Sequence, residues 1–182
     1  MATAPYTLPP LNLAAPLRNE KLFVPAEWLD YNGHMNMGYY LIAFDRGTFS
    51  LFDQLGLGDE YTSREIGMYF ALESHIKFLG ELKQGDEFFT TIQILDHDHK
   101  RIHTMTSMHS GADERLVATG EIMWVNVDFR SRRTAELPEW AMERLRQIAA
   151  EHYQLPRPAT AGNKIGIRRK TTDGDPPRAS EP

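Results

Sequence analysis

The chain has 182 residues, a formal net charge of −5 and a hydrophobic share of 41%, which predicts one domain large enough to bury a core. It contains no cysteine, so disulfides, thiolate metal sites and thiol nucleophiles are excluded. Acidic residues outnumber basic ones by 25 to 20, which disfavours nucleic acid as the main partner.

Neither a membrane span nor a signal peptide is expected. The sequence has no run of about 18 apolar residues. Its first residues also lack a basic stretch followed by an apolar one. The cytoplasm is therefore the expected location.

The two ends of the chain are rich in proline and predict little regular structure. Residues 1–18 are expected to form an extended lead-in, and residues 154–182 a loosely ordered tail. The folded domain is expected over residues 19–153, without an internal repeat. Its first element is predicted to be a short strand at 21–25, followed by a polar loop.

The segment from Met37 to Leu55 predicts the longest helix of the chain. Its apolar residues recur at steps of three and four residues, which places them on one helix face. Asn36 suits the N-cap, and Gly56 suits the position just after the helix. Because Gly47 lowers helix propensity, we expect the helix to lie close against a sheet there.

Four later stretches alternate apolar and polar residues and predict long strands. They are 68–79, 87–95, 101–109 and 116–128. Their links are short and turn-like, which favours an antiparallel meander, and a last helix is expected to begin near Pro138 and Glu139. This order predicts an α+β fold in which one antiparallel sheet wraps around the long helix. Apolar side chains on both faces of the sheet favour cover by a second subunit or a terminal helix.

The loop before the long helix carries the most specific pattern. From Asp30 to Tyr40 the chain reads D-Y-N-G-H-M-N-M-G-Y-Y, which contains D-x-x-G-H-x-N. Together with the element order, this loop resembles the hotdog-fold acyl-CoA thioesterases of the 4-hydroxybenzoyl-CoA thioesterase type. Among these the chain most resembles the betainyl-CoA thioesterases of bacterial carnitine breakdown. The resemblance covers about residues 21–133 and implies the hotdog fold, an acyl-CoA substrate, self-association as a dimer or tetramer, and no cofactor.

The resemblance also implies a catalytic carboxylate at Asp30. In a chain without cysteine, a carboxylate ahead of a helix can attack a thioester or activate water, and the sequence leaves both roles open. An ordinary turn cap is the alternative. Backbone amides at Met37 and Gly38 would stabilise the developing oxyanion. His34 and Asn36 are expected to orient substrate or water, with loop packing and N-capping as the alternatives.

Two further sets of residues are candidates for substrate binding. Arginines just past the longest strand would hold the phosphates of CoA, unless they form only a solvated charge run. They are Arg130, Arg132 and Arg133. Aromatic faces would hold the trimethylammonium group of a betainyl substrate, unless they serve as core or interface residues. They are Trp28, Tyr31, Tyr39 and Trp124.

Other functions stay open on the sequence alone. An enoyl-CoA hydratase or dehydratase would share the fold, although its helix-side signature is not found, and a non-catalytic acyl-CoA binding module would share it too. Asp45 lies mid-helix, where another branch of the fold carries its carboxylate, and is expected to face solvent or an interface. Histidines between 97 and 109 with two nearby aspartates are attributed to a polar hairpin tip, so no metal is expected.

Overall fold

The computed structural model describes residues 3–166 of the chain. These residues form one six-stranded antiparallel sheet with three α-helices, an α+β arrangement. The strands are β1 (Leu17–Arg18), β2 (Leu22–Phe23), β3 (Gly67–Phe78), β4 (Glu87–His97), β5 (Arg101–Ser110) and β6 (Leu116–Asp128). The helices are α1 (Met37–Leu55), α2 (Asp59–Ser63) and α3 (Glu139–His152). Within residues 3–166, no helix combines the length and hydrophobicity needed to cross a membrane.

The sheet order runs β1-β4-β5-β6-β3, and β2 also pairs with β4. The expected meander is confirmed for β4, β5 and β6 but wrong for β3, which pairs with β6 and not with β4. The link of residues 79–86 crosses the two intervening strands. At about 3.3 Å per residue, a link of this size easily spans strands about 4.8 Å apart, so its shortness does not force neighbouring positions.

Helix α1 lies directly against the sheet. Phe44, Leu51 and Leu55 are fully buried on its inner face. A Cβ added at Gly47 would lie 2.5 Å from the Oγ1 atom of Thr90 on β4, so the close approach expected from this glycine is confirmed. The helix begins after the N-cap Asn36 and ends at Gly56, whose φ of 70° is left-handed, as the sequence predicts.

Helix α3 packs beside α1 and against β4, near the β1 edge of the sheet. The buried His152 accepts a hydrogen bond at Nδ1 from the backbone N–H of Ile94 on β4, at 2.9 Å. The expected lead-in is extended but is also attached: it runs past both helices and ends as β1. Strands β1 and β2 and the side chain of His152 pair with backbone groups along this edge of β4. This edge is therefore not an open strand edge.

The opposite edge strand, β3, is largely uncovered. All residues from Phe70 to Ser74 are exposed, including the apolar Phe70 and Leu72. The outer side of α1 is exposed as well at Leu41, Ile42 and Phe49. This side of the protomer therefore combines an open strand edge with exposed apolar side chains.

The start of the expected tail crosses the outer face of the sheet. The backbone N–H of Gly162 donates to Oε2 of Glu121 on β6 at 2.8 Å. The rest of that tail, residues 167–182, lies outside the described residues. The fold thus leaves three features around α1 to consider for function: its N-terminal loop, its outer side and the β3 edge.

Candidate active site

The Asp30 loop is a tight turn closed by its own hydrogen bonds. The backbone N–H of Asp30 donates to the carbonyl of His34 at 2.9 Å, and the N–H of Gly33 donates back to the carbonyl of Asp30 at 3.0 Å. Oδ1 of Asp30 accepts from the N–H of Asn32 at 2.8 Å, so one carboxylate oxygen caps the turn. Among residues 3–166, the other oxygen, Oδ2, has no hydrogen-bond partner, and the side chain is half-buried.

The loop is anchored to the body of the protein on both sides. The N–H of Met35 donates to the carbonyl of Leu82 in the link after β3, at 2.8 Å. The N–H of Asn36 donates to the carbonyl of Trp28, also at 2.8 Å. Met35 and Leu82 are both buried, so packing as well as hydrogen bonding holds Asp30 in position.

The first turn of α1 leaves one amide open. Oδ1 of Asn36 accepts from the N–H of Gly38 at 2.9 Å, and the carbonyl of Asn36 accepts from the N–H of Tyr39 at 2.9 Å. In the described part of the chain, the N–H of Met37 has no acceptor. Of the two amides suggested for an oxyanion site, Gly38 is therefore already occupied and Met37 is available.

His34 has a partner that sequence reasoning missed. Its Nε2 atom lies 3.1 Å from Oε2 of Glu81, an exposed residue in the link after β3. Glu81 lies far from His34 in the sequence, and only the return of residues 79–86 to the loop brings the two together. No local pattern around Glu81 signals this contact.

The four candidate aromatic residues do not form one cage within the protomer. Trp28 and Tyr39 stack beside the site loop, with ring centroids 5.0 Å apart and planes at 11°. Tyr31 lies at the loop tip and is 97% exposed. Trp124 lies on β6, where it contacts Phe52 edge-on at 5.2 Å. The structure thus separates Trp124 from the other three.

The candidate arginines lie at the far end of the protomer from Asp30. They follow β6, whose last residue pairs with Gly67 at the start of β3. The guanidinium of Arg132 sits 5.5 Å from the ring of Phe70. The site loop lies beyond the other end of β3, where the hydroxyl of Tyr40 donates to the carbonyl of Gly80. With 12 residues in β3, the two ends are roughly 35 Å apart.

A separate cavity of about 220 Å³ opens between the outer side of α1, helix α2 and strand β3. We call it the α1–β3 cavity. Its walls include stacked rings of Phe52 and Tyr69, 3.8 Å between centroids, together with Trp124. The carboxylates of Asp45 and Asp53 also line it, and burial raises the pKa of both. No local sequence pattern predicts this cavity, because its walls come from α1, the α2 region, β3 and β6.

The histidine-rich hairpin forms pairwise contacts. Nδ1 of His97 lies 2.6 Å from the hydroxyl of Tyr153, and Nε2 of His103 lies 2.8 Å from Oε1 of Glu121. Within residues 3–166, no three histidine, aspartate or glutamate side chains are grouped so that they could hold a metal ion.

Comparison with known proteins agrees with this architecture. Residues 24–145 match the family model of the thioesterase-like superfamily. The chain is 38% identical over 160 residues to an L-carnitine dehydrogenase/betainyl-CoA thioesterase of Rhizobium meliloti, a match that covers 87% of this chain and 32% of that protein. It is 32% identical over 141 residues to a betainyl-CoA thioesterase of Pseudomonas aeruginosa, covering 78% of this chain and 89% of the relative.

Among solved structures, a Staphylococcus aureus protein in complex with CoA superposes with a TM-score of 0.78 at 27% identity, covering 86% of this chain and 99% of the other. The chain spans about a third of the length of the Rhizobium relative. Because the family model covers most of residues 3–166 and the relatives match at 30% identity or more, the chain belongs to the thioesterase-like superfamily.

Proposed function

We propose that the protein hydrolyses an acyl-CoA thioester to the free acid and CoA. The Asp30 loop carries this proposal, because a carboxylate oxygen without a partner and an unpaired helix amide occur in one short, anchored segment. Thioester hydrolysis needs both parts: a group that attacks or activates water, and a donor for the oxyanion. Oδ2 of Asp30 supplies the first and the N–H of Met37 the second.

Asp30 acts as nucleophile or as general base. As a nucleophile, Oδ2 attacks the thioester carbonyl, the C–S bond breaks, CoA leaves as a thiolate, and water then hydrolyses the mixed anhydride. As a base, Oδ2 takes a proton from the water that attacks the same carbonyl. In both cases the carbonyl oxygen gains negative charge, which the N–H of Met37 and the helix dipole stabilise. Gly38, which has no side chain, leaves room for the substrate at the helix start.

His34 and Asn36 support the reacting groups. Asn36 caps the first turn of α1 and so fixes the direction of the Met37 amide. His34, held by Glu81, borders the same loop and can orient the substrate or the attacking water. Tyr39 and Trp28 form a rigid aromatic wall beside it.

We also propose that the active form is a dimer, alone or as half of a tetramer, in which two β3 edges pair antiparallel and each sheet wraps its α1 in the hotdog manner. Exposed β3 and the exposed apolar side of α1 support this interface. Antiparallel pairing reverses the partner's β3. It therefore brings the arginines at the start of one β3 toward the Asp30 loop at the end of the other, where they can bind CoA phosphates. These are Arg130, Arg132 and Arg133.

Betainyl-CoA is the candidate substrate. The names of the Rhizobium and Pseudomonas relatives support it, since these matches cover 87% and 78% of this chain. The exposure of Tyr31, at the tip of the Asp30 loop, leaves its ring available to a bound substrate and supports the same assignment.

A panel of CoA thioesters that includes betainyl-CoA tests the function by release of free thiol. Asp30→Asn should lower kcat roughly 100- to 10,000-fold while the fold is kept, because the amide oxygen can still accept from Asn32. Glu27→Gln, an exposed carboxylate just before the loop, is the matched control. A wild-type rate in Asp30→Asn would refute the mechanism. Failure to release thiol from any thioester would refute the function and favour a hydratase or a binding module.

A further inference from the structure

The α1–β3 cavity has the walls of a cation-binding site. Three aromatic rings, those of Phe52, Tyr69 and Trp124, stand around it, and a fourth, Phe49, lies at its exposed side. The hydroxyl of Tyr69 already donates to the carbonyl of Leu57, another residue of the cavity wall. The rings line the cavity beside the stacked contact of Phe52 with Tyr69, and aromatic faces attract cations.

The charged residues of the cavity wall also favour a cation. Asp45, Asp53 and Asp59 line it, and none of its described lining residues is basic. Partial burial raises the pKa of Asp45 and of Asp53 and so carries a cost for their charged forms, although both residues are exposed in the single protomer. A cation placed among them would offset this cost. A quaternary ammonium carries no N–H, so charge and ring faces are the interactions by which it is recognised.

Size limits what can enter. The cavity holds about 220 Å³, less than the roughly 300–1,000 Å³ of pockets that enclose drug-sized ligands. It can accept a small head group but not the body of CoA. The carboxylate of Asp53 packs closely against Gly58, since a Cβ added at Gly58 would collide with it.

The cavity cannot serve Asp30 of its own protomer. From Met37 to Phe49 along α1 is about 18 Å at about 1.5 Å per residue. In a betainyl group the carbonyl carbon and the nitrogen are only about 2.5 Å apart by standard bond lengths. One short acyl group therefore cannot reach both the helix start and the cavity of one chain.

A second copy removes this difficulty. Helix α1 starts near the end of β3, where Tyr40 contacts Phe78, and ends near the beginning of β3, where Phe52 stacks on Tyr69. Antiparallel pairing of two β3 edges places the end of one strand beside the beginning of the other. The partner's Asp30 loop then approaches the α1–β3 cavity of this chain.

We propose that the α1–β3 cavity binds the quaternary ammonium head of the acyl group, while the partner's Asp30 and Met37 act on its thioester. Asp45 is the main specificity-determining residue, with Asp53 and the aromatic rings as the rest of the cavity wall. This assignment rests on the acyl-CoA hydrolysis and the dimer proposed above, and it places the cation contact outside the Trp28 and Tyr39 stack.

The test compares two thioesters of the same shape. Betainyl-CoA and 3,3-dimethylbutanoyl-CoA differ only in whether the branching atom is a charged nitrogen or a neutral carbon. Wild type should prefer betainyl-CoA in kcat/KM, and Asp45→Asn should lower that preference by about tenfold, the loss of one charge contact that the partner subunit covers in the proposed dimer. The control, Glu20→Gln, removes an exposed carboxylate at the opposite edge of the sheet and should leave the preference unchanged.

A binding measurement keeps the assignment independent of turnover. Glycine betaine and 3,3-dimethylbutanoate are titrated into the full chain by calorimetry; only betaine should bind, and more weakly to Asp45→Asn. Equal kcat/KM for both thioesters, or an equal loss for both in Asp45→Asn, would overturn the cation site and leave hydrolysis intact. If no thioester is hydrolysed, the proposed function fails, and betaine binding that is lost in Asp45→Asn still supports the cavity, whereas its absence overturns it.

Discussion

Two impaired variants should restore betainyl-CoA hydrolysis when their subunits are mixed. Asp30→Asn removes the reacting carboxylate, and Asp45→Asn removes a charge from the α1–β3 cavity. If each active site takes Asp30 from one subunit and Asp45 from the other, a mixed dimer holds one intact site and one doubly altered site. Each variant alone has two damaged sites.

The expected recovery follows from the geometry. Asp30 and the α1–β3 cavity lie toward opposite ends of α1, and Met37 and Phe49 are about 18 Å apart along it. Random exchange of equal amounts makes half of the dimers mixed, and each has one of two sites intact, so betainyl-CoA hydrolysis should return to about a quarter of the wild-type rate.

The assay is thiol release from betainyl-CoA before and after subunit exchange, with native mass spectrometry to count the mixed dimers. Wild type mixed with a chain carrying both substitutions is the matched control: mixed dimers would then have no intact site, and activity per wild-type subunit should fall to about half. If mixed dimers form and the two single variants recover no activity, Asp30 and Asp45 do not act across the interface.

Three further predictions concern the fold around this site. Helix propensity alone would favour Gly47→Ala by about 1 kcal/mol, but the new Cβ would lie 2.5 Å from Oγ1 of Thr90. Chemical denaturation should therefore show that Gly47→Ala lowers the free energy of unfolding by about 1–2 kcal/mol. Thr90→Ala by itself removes the hydrogen bond from Nδ2 of Asn19, but it also removes the colliding atom, so the double variant should lose less than the sum of the two single losses. A single Gly47→Ala variant as stable as wild type would contradict this packing. Burial lowers the pKa of His152 below 6.5, and its neutral ring accepts from Ile94, so stability should be fully present above pH 6.5 and decline below it. Between about pH 7.5 and 5, the free energy of unfolding should change less with pH for His152→Gln than for wild type. Equal pH dependence in the two proteins would refute this role of His152. The Oγ1 atom of Thr106 is buried without a partner among residues 3–166, so Thr106→Val should raise the free energy of unfolding by about 1 kcal/mol, and a loss of stability would argue against an unsatisfied hydroxyl.

Features that depend on neighbours in the chain were predictable. Both ends of α1 match the prediction, because the apolar period, the Asn36 cap and the left-handed Gly56 are local properties. Strand β6 also has its predicted bounds, since alternation of side chains is visible in a single strand. The Asp30 loop could be singled out in the same way, from a short pattern of polar residues and glycine.

Features that depend on residues distant in the chain became visible only in the folded molecule. The pairing of β3 with β6 could not be derived from link lengths, because the link after β3 is long enough to reach several positions. The contact between His34 and Glu81 follows from that pairing, and so does the far position of the arginines. The α1–β3 cavity is the clearest case. Asp45, Tyr69 and Trp124 belong to three elements whose local patterns concern only their own faces. Local hydrogen bonding and side-chain period set each element, whereas the arrangement of chemical groups into a site depends on which elements pack together, and that is decided by long-range pairing and core packing.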